Sequence, residues 1–373
     1  VADITPAHLT PVHLTPGDIR AAVAAGVLTE AQAASVLALA QRRAGQRAAM
    51  TEEDEPFEFF RGFSEIFVSI GLVILMAGVA MLLAWVGGPG ILIAVPAGCA
   101  AVAWWWAGYF TLKRRMNLPS MVLATTFAGG VATAALTLAT MADTAMRAGV
   151  IAAFLLTAAA LWLWFRRFRL PFTMFLLGLG LLAAIYTATA SVDELGGFVA
   201  GTRSGLDGLF DLRESPAFAL ATLGFGLAAF LAGMWFDMRD PYRLGRHAAT
   251  AFWLHLLAAP ALVNTVAVTL YNTGGWRGVG LLVVALAVIT VLALVVDRRS
   301  FLTAAIAWIA LVIAWVVQGG GEGDVGSWIV VLISLGAVVT AIGTWWVGLR
   351  AALMRALPDF PGKHRLPPYE KAA

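Results

Sequence analysis

Residues 66–112 read IFVSIGLVILMAGVAMLLAWVGGPGILIAVPAGCAAVAWWWAGYFTL, with no charged side chain anywhere in the run. A surface helix of a water-soluble domain carries one apolar stripe and keeps charges on its outer face, whereas this run is apolar around its whole circumference. The hydrocarbon core of a bilayer asks for about 20 such residues per crossing. The run is long enough to cross twice, and Gly87-Gly88-Pro89-Gly90 supplies a tight turn between the two crossings.

The same reading extends to the C-terminal side. Uncharged stretches follow at Met116–Ala142, Ala148–Phe165, Leu170–Val192, Ser215–Phe236, His247–Trp276, Gly278–Val296, Ser300–Gly321 and Val325–Leu349. With the opening pair they predict an all-α polytopic transmembrane bundle of about ten helices over residues 64–350, followed by a cytoplasmic tail, 351–373. Composition agrees: the 373 residues are 60% hydrophobic and 13% charged, and the mean hydropathy is +0.84. That is more apolar surface than a soluble core can hide, and the surplus must meet lipid.

Lys and Arg accumulate on the cytoplasmic side of membrane proteins, which tests the span count. One side receives Arg61, Lys113, Arg114, Arg115, Arg166, Arg167, Arg169, Arg239, Arg243, Arg246, Arg298, Arg299, Arg350, Arg355, Lys363, Arg365 and Lys371. The other receives only Arg147, Arg203, Arg213 and Arg277. The alternation predicts both ends of the chain inside, the Ala- and Arg-rich composition suggests a GC-rich bacterial genome, and a bacterial inner membrane is the expected location. The net charge of +3 is explained by these orienting clusters, so nucleic acid is not an expected partner. Trp104–Trp106, Trp162, Trp164, Trp235, Trp345 and Trp346 at inner ends, with Trp85, Trp276 and Trp328 at outer ends, read as interfacial anchors.

On the N-terminal side, residues 1–63 read as a small cytoplasmic module. Thr15-Pro16-Gly17-Asp18 starts a helix, Gly26 suits its left-handed end, and Thr29-Glu30-Ala31-Gln32 is a capping box opening a second helix to about Ala49. Ile19, Val23, Val27, Leu28, Val36 and Leu37 form the seam of the resulting hairpin, which is small enough to need a partner, the membrane or the rest of the chain. Glu52, Glu53, Asp54, Glu55 and Glu58 make an acidic linker, read as a solvated spacer in preference to a cation site. The first long apolar run starts too late for a cleavable signal peptide, so the first span is expected to direct insertion.

Chemistry has few candidates. Cys99 is the single cysteine and reads as a packing residue. Glu65, Asp143, Asp193, Asp237, Asp297 and Asp324 sit near span ends, where solvation accounts for them, so no proton or ion path is marked by a mid-membrane carboxylate. His255 is the one titratable group well inside a span. A neutral imidazole there relays a proton, binds a metal or haem, holds a substrate, or makes an interhelical hydrogen bond that fixes packing. Pro260 is expected to kink or locally break this helix and free a carbonyl. Asn264, nine residues past His255, falls on the opposite face. Thr126, Thr133, Thr137 and Thr140 recur at helical spacing with Gly130 among them. They line a water-filled path or, the commoner use, let helices approach closely, as Gly178, Gly180, Gly224, Gly226 and Gly233 also do. The Ser191–Ser215 loop, with Phe198, Leu206, Leu209, Phe210 and Leu212, is expected to hold a short outer helix. Phosphate-binding, zinc-protease and nucleophile-elbow motifs are missing, and Gly319–Asp324 reads as a turn. Catalytic residues, cofactors and metal sites are therefore not expected.

The stretch Asp237-Met238-Arg239-Asp240-Pro241-Tyr242-Arg243, then Arg246 and Ala251-Phe252-Trp253-Leu254-His255-Leu256-Leu257-Ala258-Ala259-Pro260, resembles a family of proteobacterial polytopic membrane proteins of unknown function. Glu55-Pro56-Phe57, Gly62-Phe63 and Leu366-Pro367-Pro368 extend the resemblance. It implies the topology, the N-terminal hairpin and the importance of the His255 segment, and supplies no activity. Asn264 stands where such proteins often carry a histidine, so a two-histidine ligand set is not implied here. The expected function is transport-type: binding or moving a small or lipophilic molecule through a cavity near the His255–Pro260 helix. The competing expectation is an accessory or scaffold subunit of a larger membrane complex, with a homo-oligomer also permitted. Five spans per half would permit inverted repeats, although the halves share no evident sequence similarity.

Overall fold

The computed structural model describes residues 16–29, 32–33, 36, 63–86, 88, 90–142, 146–191, 206–239, 246–317, 325–367 and 369. The chain divides into two compact units, Val1–Asp54 and Glu55–Ala373.

In the first unit α1 spans Pro16–Ala24. It ends in a Schellman motif: Gly26 takes φ +71°, its N–H donates to the Val23 carbonyl at 3.0 Å, and the Val27 N–H reaches the Ala22 carbonyl at 2.9 Å. The capping box forms reciprocally. The Thr29 N–H donates to Gln32 Oε1 at 2.9 Å and the Gln32 N–H to Thr29 Oγ1 at 3.2 Å. Ile19 and Ala33 are buried, whereas Val27 and Val36, assigned to the seam by their spacing, are exposed. The Thr15 cap, Leu37, the rest of the second helix and the acidic linker lie outside the described residues.

The second unit is a helical bundle, and its described residues contain no strand. Its helices are α2 (Phe63–Val86), α3 (Ile91–Ala107, ending in a π-helical turn Gly108–Lys113), α4 (Asn117–Met141), α5 (Met146–Phe168), α6 (Phe172–Thr189), the short α7 (Leu206–Leu209), α8 (Pro216–Asp237), α9 (Arg246–Tyr271), α10 (Gly275–Val296), α11 (Ser300–Val317) and α12 (Val325–Ala356). Nine helices among the described residues are long and apolar enough to cross a membrane, and α11 contributes a shorter apolar stretch, Ser300–Ala314. Their outward faces carry large apolar side chains such as Ile74, Leu82, Leu163, Leu231, Val284 and Ile333, as lipid contact requires. Gly87, Pro89, Asp143, Asp193, Phe198, Arg203, Asp240–Arg243 and Gly319–Asp324 lie outside the described residues.

Two apolar cores fill the bundle. One gathers Leu72, Ala103, Leu123, Phe127, Leu161, Trp164 and Phe168 from α2–α5; the other gathers Ala258, Val263, Leu282, Phe301, Ala305 and Trp346 from α9–α12. Between them, Phe172 and Phe175 of α6 pack on Trp253 of α9, with ring centroids 4.8 and 5.2 Å apart. Trp164 and Trp346 are fully buried, unlike the outward Trp85, Trp105, Trp276 and Trp345, and so act as core residues instead of the interfacial anchors their end positions suggested.

Close approach explains Gly130, Gly178, Gly226 and Gly233 among the glycines assigned to packing. A Cβ on Gly130 would lie 2.5 Å from the Pro96 carbonyl, so α3 and α4 touch backbone to backbone there. Gly224 differs, because nothing lies within 4 Å of its Cβ position and no helix closes on it. Glu65 is also not the solvated end residue that its position suggested. Buried at the start of α2, it accepts the N–H groups of Asn117 (3.1 Å) and Leu118 (3.2 Å), capping α4 from a neighbouring helix.

Candidate functional site

Helix α9 is the most enclosed span of the bundle, with buried residues on most of its turns. His255 lies nine residues from its start, about 13 Å along the axis, and is fully buried. Its ring covers Gly233 of α8, where an added Cβ would come within 2.9 Å of the imidazole. Phe230 and Phe301 flank it, with centroids at 5.4 and 6.0 Å.

The imidazole Nε2 meets Asp237 Oδ2 at 2.9 Å. Asp237 is the last residue of α8 and is itself buried, so the solvated reading of that position is corrected. Its second partner is Arg298, whose Nε donates to Oδ2 at 3.1 Å and whose Nη2 forms a close ion pair with Oδ1. Arg298 Nη2 also donates to the Ala248 carbonyl at 3.1 Å, near the start of α9. An arginine stays charged and a carboxylate beside it is an acceptor, so His255 Nε2 carries the hydrogen and donates it. Asp237, His255 and Arg298 thus join the end of α8, the first half of α9 and the turn between α10 and α11 in one buried polar cluster.

Local geometry delivers Arg298 to this place. Asp297 closes α10 in the left-handed conformation (φ +59°), and the Arg298 N–H returns to the Ala293 carbonyl at 3.0 Å, the long bond of a Schellman ending. Asp297 accepts the Trp346 indole N–H at 2.8 Å and lies 3.6 Å from Arg350 Nε. Arg350 in turn donates to the Leu294 carbonyl at 3.1 Å and the Pro367 carbonyl at 2.6 Å, drawing the C-terminal tail onto α12.

The far end of α9 carries a second polar cluster. Asp211 follows α7 and is almost wholly buried. It accepts Asn272 Nδ2 at 2.9 Å, the Arg213 N–H at 2.9 Å and Arg213 Nη2 at 3.2 Å. The Leu212 N–H donates to Thr269 Oγ1 at 3.0 Å and Arg213 Nη2 to the Thr269 carbonyl at 3.3 Å. Burial pushes the Asp211 carboxyl up, but the hydrogen bonds from Arg213 and Asn272 and the guanidinium charge outweigh it and hold the group below its ordinary value. Beneath this cluster Leu209, Phe210, Phe218 and Tyr186 form a small apolar patch.

The other residues singled out by their sequence pattern are spread over the bundle. Pro260 sits on the exposed side of α9, and the helix runs through it as continuous α-helix without the expected local break. Asn264 accepts the Trp308 indole N–H at 3.0 Å, away from the imidazole as the nine-residue spacing predicted. Thr126, Thr133, Thr137 and Thr140 lie on α4, whose core is the one opposite His255. Three of their hydroxyls bond back into their own helix, Thr126 to the Val122 carbonyl, Thr137 to Thr133 and Thr140 to Thr137. Thr133 and Thr140 are exposed. Among the described residues no group of three or more His, Cys, Asp or Glu is arranged to hold a metal ion.

No family model, curated protein or solved structure matches the chain.

Proposed function

We propose that this multi-pass membrane protein is of transport type, binding or moving a small or lipophilic molecule along α9, with the Asp237–His255–Arg298 cluster closing that route at one end. The observation that carries the reading is the burial of three ionisable side chains, Asp237, His255 and Arg298, that meet at the most enclosed helix of the bundle. Ionisable groups in a membrane interior are costly, and those found there face the bundle interior and pair with one another at sites of function. Removing one member strands the others, and a ligand that bound a parted arrangement of the cluster better than the joined one would shift the balance between them. The inner membrane of a bacterium and an orientation with both termini inside belong to this proposal too.

The test uses the purified protein in detergent and a panel of small amphiphilic and apolar compounds. At least one compound is expected to raise the melting temperature in a saturable way, and His255→Gln is expected to change that shift while leaving a monodisperse, folded protein. Saturable shifts that are identical in the variant would remove the cluster from the route.

An accessory or scaffold role is the second reading, and one observation favours it. Helix α12 is the span least covered by the rest of the chain, leaving Leu332, Ile333, Trp345 and Leu349 open to a neighbouring helix as well as to lipid. A stoichiometric, salt-resistant protein co-purifying from the native host would move the function to that complex.

A further inference from the structure

Helix α8 presents an outward apolar lane that ends in a stacked arginine. Leu227, Leu231 and Trp235 are all exposed, and their spacing of four residues sets them one above another on a single face of the helix. Arg239 continues the series. The chain still turns helically at this point, since the Met238 N–H donates to the Met234 carbonyl at 2.9 Å and the Arg239 N–H to the Phe236 carbonyl at 3.1 Å. The Arg239 guanidinium lies over the Trp235 ring, 3.5 Å from its centroid. At the other end of the lane is Gly224, where nothing stands within 4 Å of a Cβ position, so the lane ends in an open notch. Along the axis Gly224 and Arg239 are about 22 Å apart, roughly half the thickness of a bilayer with its headgroup layers. The lane therefore runs from one membrane surface to the midplane, which is the reach of one lipid.

We infer that this lane is a binding site for an anionic phospholipid, with the phosphate on Arg239 and one acyl chain lying over Leu231 and Leu227 as far as the Gly224 notch. The site is independent of the transport reading and requires only that α8 crosses the bilayer. A guanidinium stacked on an indole face keeps its N–H donors in its own plane, directed away from the ring, and paired planar donors match two oxygens of a phosphate. The stack also fixes a side chain that is otherwise free to adopt many rotamers, so less ordering is left for the lipid to bring about. Selectivity for a negative headgroup comes from the local sequence: residues 239–246 hold Arg239, Arg243 and Arg246 against Asp240 alone, and an excess of basic side chains beside a span attracts anionic lipid over zwitterionic. Other arginines at span ends are engaged differently. Arg355 turns its Nε back to the Ala351 carbonyl at 3.1 Å, and Arg114 donates its Nε hydrogen to the Tyr109 hydroxyl at 2.9 Å. Buried Asp237 and exposed Arg239 fall on opposite sides of one turn, so the headgroup and the His255 cluster grip the end of α8 from without and from within.

The test counts lipids on the purified, delipidated protein by native mass spectrometry during titration with phosphatidylglycerol or phosphatidylcholine of identical chains, with inorganic phosphate as a competitor. The wild-type protein is expected to bind its first phosphatidylglycerol roughly tenfold more tightly than phosphatidylcholine, as one charge-assisted pair implies. Arg239→Gln, which removes the charge, and Trp235→Leu, which removes the stack, are each expected to abolish most of that preference. Arg355→Gln, a change of an exposed arginine at another span end, is expected to leave it intact. A Cβ on Gly224 meets nothing within 4 Å, so Gly224→Leu should weaken binding of both lipids several-fold with an unchanged melting temperature. If Arg355→Gln lowers the preference as much as Arg239→Gln does, lipid binding is a general property of the basic surface and the site falls. Equal affinity for the two lipids in the wild-type protein also overturns it. So does displacement of phosphatidylglycerol by inorganic phosphate with no effect of Gly224→Leu, which would mark an anion site without a lane for the chain.

Discussion

Gly233 and His255 show how one missing methyl group shapes the site. The imidazole packs against the position where a Cβ of residue 233 would stand, and from there Nε2 reaches Asp237 Oδ2. Gly233→Ala is therefore expected to destabilise the protein by about 1–3 kcal/mol through overpacking. Most of that loss should vanish when His255 is also replaced by Ala, which a double-mutant cycle on thermal or denaturant unfolding in detergent measures. Additive losses would place the clash elsewhere. His255 was legible as the single titratable group inside a span, because its chemistry stands out against apolar neighbours. Asp237 and Arg298 were not. Each lies beside a polar turn, and a charge at a helix end is explained by solvent and by orientation rules until its burial is known. Their pairing joins residues 61 positions apart, and neither composition nor periodicity encodes which helix ends meet. Pro260 and Asn264 lie near His255 in sequence, but helical geometry turns them onto other faces.

At the level of elements, the segment from α7 to Ser215 is held to the end of α9 by Asp211, and its hold depends on pH. The folded-state carboxyl titrates below its ordinary value, so as pH falls the unfolded chain binds the proton first and the folded state loses its advantage. The contribution is complete above the ordinary Asp value of about 3.9 and is lost as the pH drops through the depressed one. The wild-type protein should thus lose thermal stability more steeply than Asp211→Asn below about pH 4, and the two curves should run parallel above it. Parallel curves throughout would show that the carboxylate contributes nothing to folding. Helix existence and approximate limits were readable here because uncharged runs near 20 residues have one physical explanation. The capping box at Thr29 and the left-handed Gly26 were readable because local hydrogen bonding decides them. The cap on α4 by Glu65 was hidden because it comes from another helix.

The whole molecule is a membrane bundle with two apolar cores bridged by aromatic contacts between α6 and α9. Its helical, multi-pass character followed from composition alone. The order of packing did not, since lipid-facing and core-facing residues are equally apolar and hydropathy has no power to separate them. Trp164 and Trp346, buried where anchors were expected, show that limit. What distinguishes α9 within this molecule is the concentration of polar fastening on an otherwise apolar and enclosed helix. On the reading proposed above, the Asp237–His255–Arg298 cluster closes a route along this helix instead of holding the fold together. Hydrogen–deuterium exchange of purified wild-type protein and Asp237→Asn, read peptide by peptide, tests it directly. In Asp237→Asn, exchange should be faster by roughly tenfold in the first half of α9 and in the α10–α11 turn, with the α2–α5 core unchanged. Equal loss of protection across both cores, or no change anywhere, would contradict it.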